Sequence, residues 1–480
     1  MNLRRVAYSL ALVLLVLSGA QLVPLLWLQS RAESSAVIAF LAGSVVAGVA
    51  GVALRVWGNR EGDLYRREGV LIVVGSWVLA SLMGAIPYAV SGVLPNLADA
   101  LFESASGFTT TGATVLTDIA ATSHPILFWR SFTQWLGGIG IVVLFVALLS
   151  ELGPGARFLF KLEVPGPKAE VLHARVQDTA LALARIYLAL TAVQLALLLA
   201  TGTSLFDAVT HTFSTVSTGG FSPHPESAAF LGPIAQAIVM LFMLAAGVNF
   251  SIYFALVRRR DRKALRNPEL RLYLALIVAG SVLVGTGQVM EADGPKTRAA
   301  FDAAFTVVSV VTTTGFSTAD FSTWSTPAGA LLVALMVVGG CAGSTAGGAK
   351  IVRAMVCWRA VLREVRLTFS PNSVIAIVVG REAVPEESVR SIIALVTLWL
   401  AGWATGTLLL TIGAPDLVTA GTAAIATLSN IGPGLGAVGP LGDYASFAGW
   451  QKLVMVVLMW LGRLEFFAFL ALFQRQFWRR

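Results

Sequence analysis

The sequence has few charged residues, cysteines and histidines. Asp, Glu, Lys and Arg make up 12% of the 480 residues, against roughly 25% in a soluble domain. The two cysteines, Cys341 and Cys357, offer neither a disulfide framework nor metal-site spacing. The four histidines lie in unrelated segments, and no His–Asp–Ser or His–Cys grouping indicates catalysis. These shortages argue against a soluble domain and against an enzyme, and the 56% of hydrophobic residues indicates a membrane protein.

Apolar runs of about 20 residues recur along the chain, and each is long enough to cross roughly 30 Å of hydrocarbon. They predict an all-α polytopic membrane protein. The expected spans lie near residues 6–28, 36–57, 69–91, 126–150, 180–202, 231–257, 270–289, 327–365 (interrupted), 389–413 and 447–474.

The net charge is +8, and the basic residues are distributed as the predicted topology requires. Lys and Arg fill every second loop, around residues 55–67, 157–185, 258–271 and 353–390, and they also end the chain. This alternation is the positive-inside rule, and it places both termini in the cytoplasm. We therefore expect membrane lipid, and no nucleic acid, to surround the basic surface. The third and fourth basic loops are a candidate docking face for a cytosolic partner.

Four short segments lie in the loops assigned to the outer side, and none is long enough to cross a membrane. Each combines an apolar run, about the length of a half-helix, with a residue pair and a glycine; the pair is small or hydroxylated in the first three segments and Asn430-Ile431 in the fourth. Ordinary loops between spans are the alternative, but four copies in register predict pore loops around one axis. The segments are Asp99–Thr114, Asp207–Ser222, Asp302–Ser317 and Thr419–Gly434.

Each segment can be interpreted physically. Asp99, Asp207 and Asp302 are expected near the starts of the first three half-helices. Pro415 and Asp416 make a similar start for the fourth. A carboxylate there suits the positive end of the helix dipole, so the partly negative end points into the pore. The glycine permits backbone angles that turn carbonyls toward the axis, where they can replace the hydration shell of a monovalent cation. The predicted filter residues are Thr110, Thr111, Gly112, Thr218, Gly219, Gly220, Thr313, Thr314, Gly315, Asn430, Ile431 and Gly432.

A glycine-rich run, Gly339–Lys350, interrupts the eighth span. Each Gly costs about 1 kcal/mol relative to Ala in a helix, so the span should break into two helices joined by a loop below the filter. Close helix packing by small residues is the alternative. Arg463, inside the last span, should face protein or water. We hypothesise that Arg463 reaches this loop and sets a barrier to cations; pairing within a helix bundle is the alternative.

At these motifs the chain resembles the TrkH branch of the Trk/Ktr/HKT potassium transporter superfamily. The resemblance covers the whole chain, and the two spans before residue 60, which lack a pore loop, favour TrkH over the shorter Ktr branch. The matching motifs are TTTGAT (109–114), QWLGGIGI (134–141), STVSTGGFS (214–222), TTTGFS (312–317), GGCAGSTAGGAK (339–350), SNIGPG (429–434) and WLGRLEFF (460–467).

The resemblance implies four pseudo-symmetric span–pore-loop–span repeats around a central pore, and potassium uptake across the bacterial inner membrane. It implies K⁺ at the filter carbonyls, no other cofactor in this chain, a homodimer, and a cytosolic TrkA-like ring that binds NAD(H) or ATP/ADP. Glycine at 112, where sodium-preferring plant members carry serine, implies potassium over sodium. The resemblance identifies the glycine-rich run as a gating loop. The implied gating residues are Gly343, Ser344, Thr345, Gly347, Gly348, Lys350 and Arg463.

Two other functions stay open from the sequence: the pore subunit of an ATP-driven potassium pump, and a sodium/potassium-coupled secondary transporter. A secondary transporter would be expected to have inverted repeats, and repeat loops that all enter from the same side argue against it. The expected organisation comprises an N-terminal helix pair (1–62), repeat 1 (63–165), repeat 2 (166–262), repeat 3 with the gating loop at 339–349 (263–370) and repeat 4 (371–480).

Overall fold

The computed structural model describes residues 1–29, 33–61, 65–151, 176–258, 260–380, 382–464 and 466–478. These ranges are mostly helical, with one short antiparallel pair, Val378–Val379 with Glu382–Ala383. Six helices are long and apolar enough to cross a membrane, and a bent pair makes a seventh candidate within the described ranges. The all-α polytopic fold that the sequence predicts is confirmed.

The two helices outside the repeats form a hairpin. Leu3–Ala20 continues through a 3-10 turn, Val23–Trp27, and the chain returns as Ser34–Trp57. The hydroxyls of Ser18 and Ser44 each donate to the other residue's carbonyl, at 2.8 and 2.9 Å. Reciprocal hydroxyl–carbonyl bonds of this kind hold membrane helices together, because the hydrocarbon offers no other partner for those groups.

The remaining chain repeats one pattern four times: an outer helix, a short pore helix, an extended filter strand and an inner helix. Pore helices 1, 2 and 4 have 12 residues and pore helix 3 has 16. At 1.5 Å per residue these reach about 18 and 24 Å, short of the roughly 30 Å of hydrocarbon. The helices of the repeats, in this order, are Arg66–Val90, Leu97–Phe108 and His124–Glu151; Val176–Ala200, Leu205–Val216 and Pro233–Ala246; Pro268–Glu291, Lys296–Val311 and Thr326–Val338; Glu386–Leu410, Leu417–Leu428 and Gly449–Leu464.

The acidic residues at the pore-helix starts follow the dipole argument in three repeats. Asp99 and Asp207 lie in the first turns of pore helices 1 and 2. Asp416 caps pore helix 4, and the hydrogen bond from the Thr419 hydroxyl lowers the pKa of its carboxyl. The prediction for Asp302 is wrong, because pore helix 3 already starts at Lys296.

Two inner helices are broken. Inner helix 3 ends at Val338, and a new helix, Ile351–Phe369, follows the glycine-rich run, as predicted. The prediction of one continuous span over 231–257 is wrong: Pro233–Ala246 and Phe250–Arg258 meet at 90°. The last predicted span, 447–474, comprises Gly449–Leu464 and Phe466–Ala471.

The domain boundaries expected at 62/63 and 165/166 lie outside the described residues, and the division of the chain at these points stays a prediction.

Candidate pore and gate

All four filter strands leave their pore helices through the same turn. The first filter residue has a left-handed backbone, with φ between 53° and 56°, at Thr110, Thr218, Thr313 and Asn430. The N–H of the next residue donates to the carbonyl five positions back, at 2.8 or 2.9 Å. This is the Schellman helix ending, which normally places Gly at the left-handed position. β-Branched threonine there is strained by about 1–3 kcal/mol, and such strain clusters at functional sites.

The third filter residue is a left-handed glycine in every repeat. The φ values are +80°, +77°, +83° and +99°, while the middle residue has no positive φ. Left-handed and ordinary backbone angles therefore alternate along each strand. At the third position, glycine adopts the left-handed angle without a steric penalty. The four glycines are Gly112, Gly220, Gly315 and Gly432.

The four strands close into a ring. A methyl group placed on the third-position glycine of each strand would collide with the middle carbonyl oxygen of the next repeat, in the order 1, 2, 3, 4 and back to 1. One cavity of about 120 Å³, which we call the vestibule, is lined by all four glycines. The predicted arrangement around one axis is therefore present. The pairs are Gly112 with the Gly219 oxygen (2.1 Å), Gly220 with Thr314 (1.9 Å), Gly315 with Ile431 (2.0 Å) and Gly432 with Thr111 (2.7 Å).

A buried ion pair holds the vestibule ends of filter strands 1 and 2. Arg130 Nε donates to Glu103 Oε1 at 2.8 Å, and both side chains are at most 2% exposed. The second Glu103 oxygen accepts the Val115 N–H at 2.9 Å, just after strand 1. Arg130 Nη1 donates to the Ser222 carbonyl at 3.0 Å, just after strand 2. The pair thus connects pore helix 1, inner helix 1 and two filter strands.

Repeat 4 is tied to repeat 1 by two further contacts. Lys452 Nζ, on inner helix 4, donates to Asp99 Oδ1 at 2.7 Å, at the start of pore helix 1. The N–H of Tyr444 donates to the Thr114 carbonyl at 2.8 Å, and its hydroxyl donates to the Gly432 carbonyl at 2.7 Å. Sequence reasoning missed these contacts and the Arg130–Glu103 pair, because the partners lie far apart along the chain.

The glycine-rich loop crosses beneath the filter, at the ends of three pore helices. The Thr345 hydroxyl donates to the carbonyl of Val216, the last residue of pore helix 2, at 3.1 Å. The Gly347 N–H donates to Thr313 Oγ1 at 2.6 Å, and the Gly348 N–H donates to the carbonyl of Ser429 at 3.0 Å. The loop therefore contacts repeats 2, 3 and 4 on the side of the filter opposite the vestibule.

Arg463 reaches this loop as predicted. Its Nη1 donates to the Thr345 carbonyl at 2.7 Å, and the side chain is buried. Gly343 and Gly348 have left-handed backbones. The remaining predicted gating residues bond within the loop, since Ser344 Oγ donates to the Cys341 carbonyl and Lys350 Nζ donates to the Ala346 carbonyl.

The break in inner helix 2 joins it to the same loop. The Cys341 N–H donates to the Gly247 carbonyl at 3.1 Å, and the Phe250 N–H donates to the Gly343 carbonyl at 2.9 Å. Backbone groups freed at the bend are thus satisfied by the loop, a requirement at membrane depth. Sequence reasoning missed this contact. The available signal was the Gly-Val-Asn sequence at 247–249 inside an apolar run.

Fold and site together define a helical membrane protein with four pore loops around one axis. The family model described as "TrkH: Cation transport protein" matches residues 37–479. The chain belongs to this family.

Comparison with individual relatives agrees with this family assignment. The chain is 38% identical to the Trk system potassium uptake protein TrkH of Halomonas elongata and 36% identical to that of Escherichia coli, and each alignment covers 100% of both chains. The crystal structure of the potassium transporter TrkH from Vibrio parahaemolyticus superimposes with a TM-score of 0.89 at 32% identity, covering 100% of both chains.

Proposed function

We propose that this protein takes up potassium ions through a gated pore that runs along the axis of its four repeats. The closed ring of four filter strands, with identical backbone turns, is the observation that carries this function. The full-length relatives named as potassium uptake proteins support it. The membrane potential would drive entry, since each charge gains about 2.3 kcal/mol per 100 mV.

The twelve predicted filter residues would bind K⁺ through backbone carbonyls. Such carbonyls replace the hydration shell of the ion. The pore helices end at the filter, so their partly negative ends stabilise a cation there. Glycine at the third position of all four strands supports potassium as the preferred ion, following the family resemblance.

The glycine-rich loop and Arg463 would form the gate. The loop lies beneath the filter and holds several hydrogen bonds to the surrounding pore helices. Arg463 places a buried positive charge against the loop, where it raises the energy of a passing cation. Opening would require the loop to leave these contacts.

Replacing Arg463 with Ala tests the gate. The change removes both the charge and the bond to the Thr345 carbonyl, a charged hydrogen bond worth about 1.5–3 kcal/mol. We expect flux of K⁺ through the isolated protein to rise about tenfold. The measurement is ⁸⁶Rb⁺ uptake into proteoliposomes at equal protein density. Arg463→Lys, which retains the charge, should give an intermediate rate, and unchanged flux in Arg463→Ala would refute the gating role.

The assembly would be a homodimer in the bacterial inner membrane, with both termini in the cytoplasm. A cytosolic TrkA-like ring that binds NAD(H) or ATP/ADP would control the gate from the basic side. The Trk system named for the relatives supports a partner of this kind.

The test of function is cation flux into proteoliposomes that contain this chain alone, comparing K⁺, Rb⁺ and Na⁺. Flux of K⁺ and Rb⁺ well above Na⁺ is the expected result. Equal flux of the three ions would contradict the filter assignment. Absence of flux in both the native protein and Arg463→Ala, together with copurification of an ATPase subunit, would favour the pump alternative.

A further inference from the structure

The middle residue of filter strand 2 lacks a side chain. It is Gly219, whereas the other strands have Thr111, Thr314 and Ile431 at this position. A methyl group on Gly219 would lie 2.4 Å from Cδ of Gln134, on inner helix 1. The Gln134 side chain thus occupies the space next to Gly219 that a side chain on that residue would need.

Gln134 pairs with the filter backbone at both ends of its amide. Nε2 donates to the Gly219 carbonyl at 2.7 Å, and Oε1 accepts the Phe221 N–H at 3.2 Å. The side chain is fully buried. Because a backbone N–H can only donate, the Phe221 contact determines which end of the amide faces Gly219.

The carbonyl that Gln134 holds belongs to the ring. It is the Gly219 oxygen that lies against Gly112 of repeat 1. Glycine has the greatest backbone freedom of any residue, so the peptide after Gly219 could rotate its oxygen out of the ring. The amide of Gln134 opposes that rotation from the protein side.

Helix packing does not by itself require glutamine at position 134. The equivalent residue in repeat 4 is Met459. Gln134 and Met459 each lie three residues before an inner-helix glycine, Gly137 and Gly462 respectively. A methyl group on either glycine would lie 1.9 Å from the last carbonyl of its own pore helix, Phe108 or Leu428. Repeat 4 therefore packs a methionine at the position that Gln134 occupies in repeat 1.

We propose that Gln134 is a positioning residue for ion selectivity: it holds the Gly219 carbonyl in the filter ring and replaces the side chain that strand 2 lacks. This inference rests on the proposed potassium pore. Among the described residues, an inner-helix side chain donates to one of the four middle carbonyls, that of Gly219. Loss of the amide should therefore lower selectivity more than total flux.

The decisive variant is Gln134→Met, which has the residue that repeat 4 already accommodates. We expect the K⁺/Na⁺ flux ratio in proteoliposomes to fall about five- to tenfold while K⁺ flux persists. The matched control is Gln236→Met, since Gln236 is a buried inner-helix glutamine that donates to the Ala228 and Leu231 carbonyls outside the filter. The control should keep the native ratio.

A second pair of variants covers the case in which Gln134→Met does not fold. Gly219→Thr alone should lose flux, because its Cβ collides with Gln134, and adding Gln134→Ala should restore selective flux by opening that space. A native K⁺/Na⁺ ratio in Gln134→Met, or no rescue in the double variant, overturns the inference while the potassium pore stands. A native protein that does not select K⁺ overturns both.

Discussion

Gly315→Ser is expected to reduce the K⁺/Na⁺ flux ratio about 100-fold. Gly315 has φ +83°, where a side chain is strained, and the added Cβ would lie 2.0 Å from the Ile431 carbonyl oxygen. The filter can accept it only by moving the strand of repeat 4, which widens the ring. A wider ring loses the fit to a dehydrated potassium ion. The measurement is competitive flux of K⁺ and Na⁺ into proteoliposomes.

Gly202→Ser is the matched control for this prediction. Gly202 has the same φ of +83°, but a Cβ there meets no described atom within 4 Å. Both variants therefore impose similar backbone strain, and only Gly315→Ser disturbs the ring. Native selectivity in both variants would show that the ring does not select the ion. Loss in both would mean that strain alone, anywhere in the chain, is sufficient.

Glu103→Ala is expected to lower the free energy of unfolding by about 3–5 kcal/mol, the usual cost of leaving a buried charge without its partner. The Arg130 guanidinium would keep its bond to the Ser222 carbonyl and its position 4.1 Å from the centre of the Phe221 ring, but lose its carboxylate. The uncompensated charge also lines the vestibule, so cation entry should slow. Thermal unfolding in detergent measures the first effect and K⁺ flux the second.

The double variant Glu103→Ala with Arg130→Met separates charge from packing. Replacing a buried ion pair with apolar groups is often neutral, so most of the lost stability should return. Flux should also recover in part, since the uncompensated Arg130 charge would no longer line the vestibule. A double variant as unstable as Glu103→Ala would show that the hydrogen bonds to strands 1 and 2, rather than the buried charge, explain the loss.

The four repeats share one backbone but support it differently. The Gly219 carbonyl of strand 2 accepts a hydrogen bond from Gln134, Thr313 of strand 3 accepts one from the glycine-rich loop, and the Gly432 carbonyl of strand 4 accepts one from Tyr444. Fourfold backbone symmetry with unequal side-chain support follows from building the pore out of one chain, because each repeat can then vary independently.

Local sequence patterns predicted most of the filter. The motif of an apolar half-helix followed by a glycine involves only a few consecutive residues, so the positions of Gly112 and Gly315 could be predicted directly from the sequence. The glycine-rich run likewise cannot form a stable helix wherever it lies. The bend after Ala246 escaped prediction, since the hydropathy of residues 231–257 is continuous and the loop that stabilises the bend is about 95 residues away.

From sequence alone, hydrophobic run length established a polytopic helical membrane protein, and four copies of one motif predicted the filter strands and their pseudo-symmetry. Tertiary structure was needed to show which side chains hold the filter strands and the glycine-rich loop in place. Gln134 with Gly219, Arg130 with Glu103 and Arg463 with the Thr345 carbonyl each join residues separated by 27 to 118 positions. Helix periodicity and residue type do not predict contacts between residues so far apart along the chain, because these pairs form only when the repeats pack around the pore axis.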